Sequence, residues 1–177
     1  RKIVPAQVVA FSTQSSTGTL PVTTRILTER VGVSPEVANF TAPLGTTIGM
    51  PGCAGIWPVL TAIYGVHGLG INYGVREYLV LAVMALFVSL GTAGVPGTAT
   101  VVTASVLTAV GLPLEVMVLT IPISAIADTG RTATNVTGAM VASTIVAHSE
   151  RELDRDVFGR PHARRLDPQP AGIPAHA

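Results

Sequence analysis

The chain has 177 residues, of which 48% are hydrophobic and only 12% charged, with a formal net charge of +1 and a mean hydropathy of +0.54. A soluble domain carries about a quarter charged residues, so this is membrane-protein composition, and disorder is excluded for most of the chain. No basic stripe exists to drive nucleic-acid binding by counterion release, and one cysteine, Cys53, can form neither an internal disulfide nor a paired-cysteine metal framework.

Charge is concentrated at the end: ten of the 21 charged residues fall at Glu150 or later. Val37 to Val75 and Tyr78 to Leu114 hold none, and only Asp128 and Arg131 interrupt Val116 to Ser149. Each stretch exceeds the roughly 20 residues needed to cross a hydrocarbon core. The chain starts Arg1-Lys2 and lacks the layered pattern of a signal peptide, which reads as a piece of a longer protein.

In chain order, residues 10–23 (AFSTQSSTGTLPVT) are too rich in hydroxyl and small side chains for a lipid-facing helix. Residues 43–58 (PLGTTIGMPGCAGIWP) place Gly49, Pro51, Gly52 and Gly55 inside an apolar span, and a helix cannot run unbroken through them. Residues 89–100 (SLGTAGVPGTAT) are a Gly-Pro turn signal between apolar arms too short to span singly. Such arms suit a hairpin that enters and leaves the bilayer on one side. Leu114 to Ala147 reads as one long helix, followed by a short helical turn and a disordered tail. Arg151, Arg155, Arg160, Arg164 and Arg165 lie close behind that helix, which predicts a cytoplasmic C-terminus.

In the long helix Asp128, Arg131, Thr132 and Asn135 fall at i, i+3, i+4 and i+7, on one face. At mid-bilayer Asp and Arg cost about 2.5 to 3.5 kcal/mol each. The 11 Leu, Ile and Val residues between Leu114 and Val146 return roughly 3 to 7 kcal/mol together. The two sums nearly cancel, so the polar face must look onto protein or a wet cavity. Two readings follow: an ion pair that neutralises itself, or a solute site. The continuation into Thr132 and Asn135, and the broken segments that are tolerated at depth only around a cavity or inside protein, favour the solute site. A guanidinium offers a planar fork to a carboxylate and an aspartate can accept from an ammonium.

Smaller signals point elsewhere. His67 and His148 read as interfacial rather than as proton relays, and Trp57 and Tyr64, seven apart, as an aromatic belt or as packing. Ser15 and Ser16 lack the elbow and paired histidine of acyl transfer, so an enzyme is not expected.

FSTQSSTGTLPVT (11–23), PLGTTIGM (43–50), GTAGVPG (91–97), GLPLE (111–115) and DTGRTATNVTG (128–138) occur in that order. With them the chain resembles the C-terminal half of the dicarboxylate/amino acid:cation symporter family, which includes the glutamate and aspartate transporters. The resemblance implies an all-α membrane protein with two re-entrant hairpins (5–34 and 77–111, the second a gate), an interrupted transmembrane helix (36–68), an amphipathic transmembrane helix (113–149) and a cytoplasmic tail (150–177). It implies substrate contacts at Ser16, Val95, Pro96, Gly97, Asp128, Arg131, Thr132 and Asn135. It also implies a sodium site built from the backbone carbonyls of Thr47, Ser89, Leu90 and Thr92, an N-terminal scaffold half, and a homotrimer in the plasma membrane.

The departures from the family matter. Where its interrupted helix reads NMDGT this chain reads GMPGC: Gly49 and Pro51 replace sodium-coordinating residues and Cys53 a substrate-side threonine. Ala139 and Ser124 stand where the family has aspartates. Two sodium sites therefore lose their carboxylates, and Gly, Pro and Ala side chains cannot supply oxygen ligands. Relatives that carry dicarboxylates without an amino group usually have serine in place of Asp128, so an acidic amino acid (glutamate or aspartate) is the expected solute. A C4-dicarboxylate carrier with proton or no coupling, and a truncated homologue that does not transport, are the alternatives.

Overall fold

The computed structural model describes residues 1–90, 92 and 94–161. Among these the protein is all-helical, its single β contact being an isolated bridge between Val33 and Leu153. Helix α1 (Val4–Thr13) opens with Pro5, whose missing N–H costs nothing in a first turn. At the next turn the Ser15 hydroxyl accepts from the Gly18 amide at 2.9 Å and starts α2 (Ser16–Ile26). A π-helical turn, Leu27–Val31, closes this first helical hairpin.

Helix α3 (Pro35–Ile48) is capped by Ser34 and begins with a proline. It stops where glycine and proline accumulate, passes through the π-helical turn Pro51–Ile56, and resumes as α4 (Trp57–Gly68). Pro35–Gly68 is also the one stretch among the described residues long and apolar enough to cross a membrane. A second hairpin follows, of α5 (Val75–Ser89) and α6 (Thr98–Ala109). Its arms are 15 and 12 residues long, each short of a full span. Gly97, with φ +85°, makes the turn into α6.

Helix α7 (Glu115–Ser149) runs through Pro122 without ending and at 1.5 Å per residue is about 50 Å long. It is the axis on which the rest is laid. Gln7 Nε2 donates to Thr137 Oγ1 at 2.8 Å and Gln14 Nε2 to the Ala125 carbonyl at 3.2 Å, so α1 descends antiparallel to α7. The interrupted helix does the same on another face: Thr41 bonds Ser143 at 2.8 Å, Gly45 lies against Ala139, and Gly65 lies against Val116. That register puts the break between α3 and α4 opposite Arg131 and Asn135.

Two hydrophobic clusters flank this level. One joins α1, α2 and α3 to Val136, Met140 and Ala147 of α7; the other joins the break and α4 to α5 and α6. The outside remains apolar: Phe40, Val75, Phe87, Val101, Leu119 and Ile126 are all more than 60% exposed. So much exposed apolar surface marks a face meant for lipid or protein.

Residues 150–161 depart from the expected free tail. The Ser34 amide donates to the Glu152 carbonyl at 3.0 Å, the Asp154 amide to Gly32 at 2.8 Å, and the short α8 (Arg155–Gly159) receives Lys2 Nζ on the carbonyls of Val157 and Phe158. Backbone pairing and a partly exposed ammonium contact hold this segment to the base of the first hairpin. The short helical turn expected there is α8; the expected disorder beyond residue 161 lies outside the described residues.

Candidate functional site

The four stripe residues are buried together: Asp128 is 9% exposed, Arg131 8%, Thr132 2% and Asn135 2%. The break in the interrupted helix closes over them. The Gly52 amide donates to Asn135 Oδ1 at 2.7 Å, Asn135 Nδ2 donates to Cys53 Sγ at 3.1 Å, and the thiol donates to Asp128 Oδ1 at 3.5 Å. Gly52 is there for space: a Cβ on it would stand 2.6 Å from the Arg131 carbonyl oxygen and 2.9 Å from its Cα.

Asp128 and Arg131 are in contact, Oδ1 to Nη2, at 3.1 Å. The self-neutralising pair is therefore real, but it uses only one guanidinium nitrogen. Nη2 also donates to the carbonyl of Ser124 at 2.9 Å and to its hydroxyl at 3.1 Å. Nε and Nη1 are buried and have no partner among the described residues. A buried guanidinium with two idle donors is costly, since each unmet polar group forfeits its hydration. An arrangement of this kind is suited to an incoming anion. The indole of Trp57 covers the cation, its ring centre 4.3 Å from Cζ.

The first hairpin carries Ser16 to the tip of the second. Ser16 is 3% exposed and its Oγ has no partner among the described residues. The Thr17 amide donates to the Gly94 carbonyl at 3.1 Å, and a Cβ on Gly94 would meet the Thr46 carbonyl at 2.8 Å and Ser16 Cβ at 2.9 Å. The two tips and the end of α3 thus touch. Val95, Pro96 and Gly97 stand exposed at the outer edge of this contact.

The four carbonyl donors expected for sodium are spread over two elements. Thr47 is exposed in the last turn of α3, and Ser89, Leu90 and Thr92 follow one another where α5 ends, Ser89 and Thr92 buried and Leu90 52% exposed. Where the family's carboxylate would stand, Ala139 packs on the backbone of α3: a Cβ on Gly45 would lie 2.6 Å from that of Ala139. Pro51 approaches Gly138 in the same seam.

Sequence reasoning left out Gly52, Trp57 and Ser124 as site neighbours. The signal for Trp57 was its place four residues after Cys53, one helical turn on. For Ser124 it was the spacing of seven from Arg131 along one helix face.

Broken apolar helices around a buried Asp–Arg pair are tolerated at bilayer depth where the breaks are held inside protein or line a cavity. The model of the sodium:dicarboxylate symporter family matches residues 1–149, and the chain belongs to that family. Membership of that family makes it a membrane protein. Similar curated proteins include the L-cystine uptake protein TcyP of Bacillus thuringiensis (strain Al Hakam), 36% identical over 162 residues, which are 90% of this chain and 35% of the relative. The L-cystine uptake protein TcyP of Bacillus licheniformis is 38% identical over 161 residues, 89% of this chain and 34% of the relative. A Haemophilus influenzae protein named as an uncharacterized symporter is 41% identical over 146 residues, 82% of this chain and 33% of that protein. The chain spans about a third of the length of these relatives.

Proposed function

We propose that this chain is the solute-binding part of a cation-coupled amino-acid symporter, and that its solute is a zwitterion bearing a second carboxylate. One observation carries the reading: Arg131 is 8% exposed and keeps Nε and Nη1 unpartnered beside Asp128. The solute's carboxylate takes one of the idle guanidinium donors and its ammonium takes Asp128. Ser124 supports this exchange, because its carbonyl and hydroxyl continue to hold Nη2 when Asp128 turns to the ammonium. A dicarboxylate without an ammonium brings further negative charge beside Asp128 with no cation of its own to offset it and is disfavoured.

Glutamate and aspartate meet this description. L-cystine meets it as well, with a carboxylate and an ammonium at each end, and the names of the Bacillus relatives favour it. The helical hairpins enter the bilayer and return, their tips closing over the solute. The outer apolar faces meet lipid and an N-terminal scaffold in a trimer of the plasma membrane, with the C-terminus cytoplasmic. The carbonyls of Thr47, Ser89, Leu90 and Thr92 bind one sodium ion, which links ion to solute by favouring the closed tips.

Uptake of labelled L-cystine, L-glutamate and L-aspartate by the full-length protein in vesicles tests this, with sodium and proton gradients imposed separately and succinate as competitor. The reading expects at least one amino acid to be taken up and succinate not to compete. Uptake of succinate alone overturns it.

A further inference from the structure

We infer that Trp57 is a positioning residue that sets the carboxylate selectivity of the site by fixing the Arg131 guanidinium, an inference that rests on the reading of the site just given. The centre of its ring lies 4.3 Å from Arg131 Cζ, inside the roughly 6 Å over which an aromatic face attracts a cation. Arg131 is 8% exposed, so water does not screen the attraction.

Ring and serine act from different directions. Nη2 is tied to the Ser124 carbonyl and hydroxyl at 2.9 and 3.1 Å, while the indole covers the group at Cζ. A carboxylate cannot approach through the indole. It is left Nε or Nη1, on different edges of the guanidinium, the two donors that have no partner among the described residues. The indole's own place is set by the backbone: Gly52 seats the turn Pro51–Ile56 directly on the Arg131 main chain, and α4 starts at Trp57. Trp57 packs against the hydrophobic cluster that joins the break and α4 to α5 and α6.

Arginine has a long side chain, and ordering it at the moment of binding weakens affinity. A guanidinium already pinned by a rigid ring escapes that loss, and only a solute that uses the guanidinium benefits. Trp57 therefore acts on the charged arm of the solute and not on the rest. Packing alone, by contrast, would affect every solute equally.

The test pairs the amino acid taken up best among L-cystine, L-glutamate and L-aspartate with its counterpart in which one carboxylate is a carboxamide. In the full-length protein, Trp57→Leu is expected to raise KM for the acid about tenfold, equivalent to ~1.4 kcal/mol. Maximal rate and the KM of the carboxamide change by less than about twofold, and Trp57→Phe, which keeps a ring face, restores most of the selectivity. If the leucine variant does not reach the membrane, Trp57→Met replaces it. Equal changes for both solutes, or an unchanged KM for the acid, overturn the inference. Arg131→Ala separates the two levels: if it leaves acid selectivity intact, the reading of the site fails; if it abolishes selectivity while Trp57→Leu does not, only the role of Trp57 fails.

Discussion

The main-chain amide of Gly52 donates to the side-chain oxygen of Asn135 at 2.7 Å and joins the break of one helix to the polar face of another. Residues 83 apart in sequence are thus held at hydrogen-bond distance, and an amide freed where the helix stops finds a partner inside the protein. Without such a partner a broken helix at bilayer depth would expose backbone groups that lipid cannot satisfy.

Removing that partner should be felt in stability. Asn135→Ala leaves the buried Gly52 amide unmet, at a cost of about 1 to 3 kcal/mol, and also frees the Cys53 thiol from its donor. A fall in the melting temperature of the purified protein is expected; an unchanged melting curve would show that the break is held by other contacts.

Gly52→Ala attacks the same junction through space. The added Cβ meets Arg131 main-chain atoms at 2.6 and 2.9 Å, and backbone cannot turn aside as a side-chain tip can. Overpacking of this kind costs typically about 1 to 3 kcal/mol. Uptake should drop with stability because the displaced element bears Trp57. Wild-type stability and uptake in this variant would contradict the geometry.

Much of this was legible locally. The stripe Asp128, Arg131, Thr132, Asn135 follows from helical spacing, and the break follows from Gly49, Pro51 and Gly52. What sequence could not supply was the register of one element on another, because the Gly52–Asn135 and Gly45–Ala139 contacts have no local signature. Both readings of the Asp128–Arg131 pair were open in the sequence. The structure contains the pair, yet leaves two guanidinium donors idle, a distinction made by Ser124 and invisible in hydropathy. The docking of residues 150–161 has no sequence signature because it rests on main-chain pairing at Val33 and Leu153, which any side chains allow, inside a segment whose charges read as solvated.

The hairpin tips make a third test. Gly94→Ala would press a Cβ on the Thr46 carbonyl at 2.8 Å and on Ser16 Cβ at 2.9 Å, forcing the tips apart. The Thr17 amide, which donates to Gly94 at 3.1 Å, should then exchange its hydrogen faster. Equal exchange in variant and wild type would mean that the tip contact does not depend on glycine at this position.

Restoring the family's aspartate at position 139 is expected to fail. Ala139 is 4% exposed and seated on the backbone at Gly45, with Gly49 and Pro51 where the family has further oxygen ligands. Ala139→Asp would bury a carboxylate with no cation-binding partners, a change that costs several kcal/mol unless the group takes up a proton. The expected result is lower stability at neutral pH with no gain in sodium dependence. A new sodium requirement in this variant would show that the seam between α3 and α7 can open to an ion.

The most direct test concerns Arg131. Calorimetry or labelled-solute binding on the full-length protein should show that Arg131→Ala weakens the acidic amino acid at least about a hundredfold, the loss of a buried charge-assisted pair, while Arg131→Lys, a point charge without the fork, recovers part of it. Affinity within about twofold of wild type in Arg131→Ala would leave Arg131 with contacts only inside the protein, to Asp128 and Ser124, and contradict a solute site at this place.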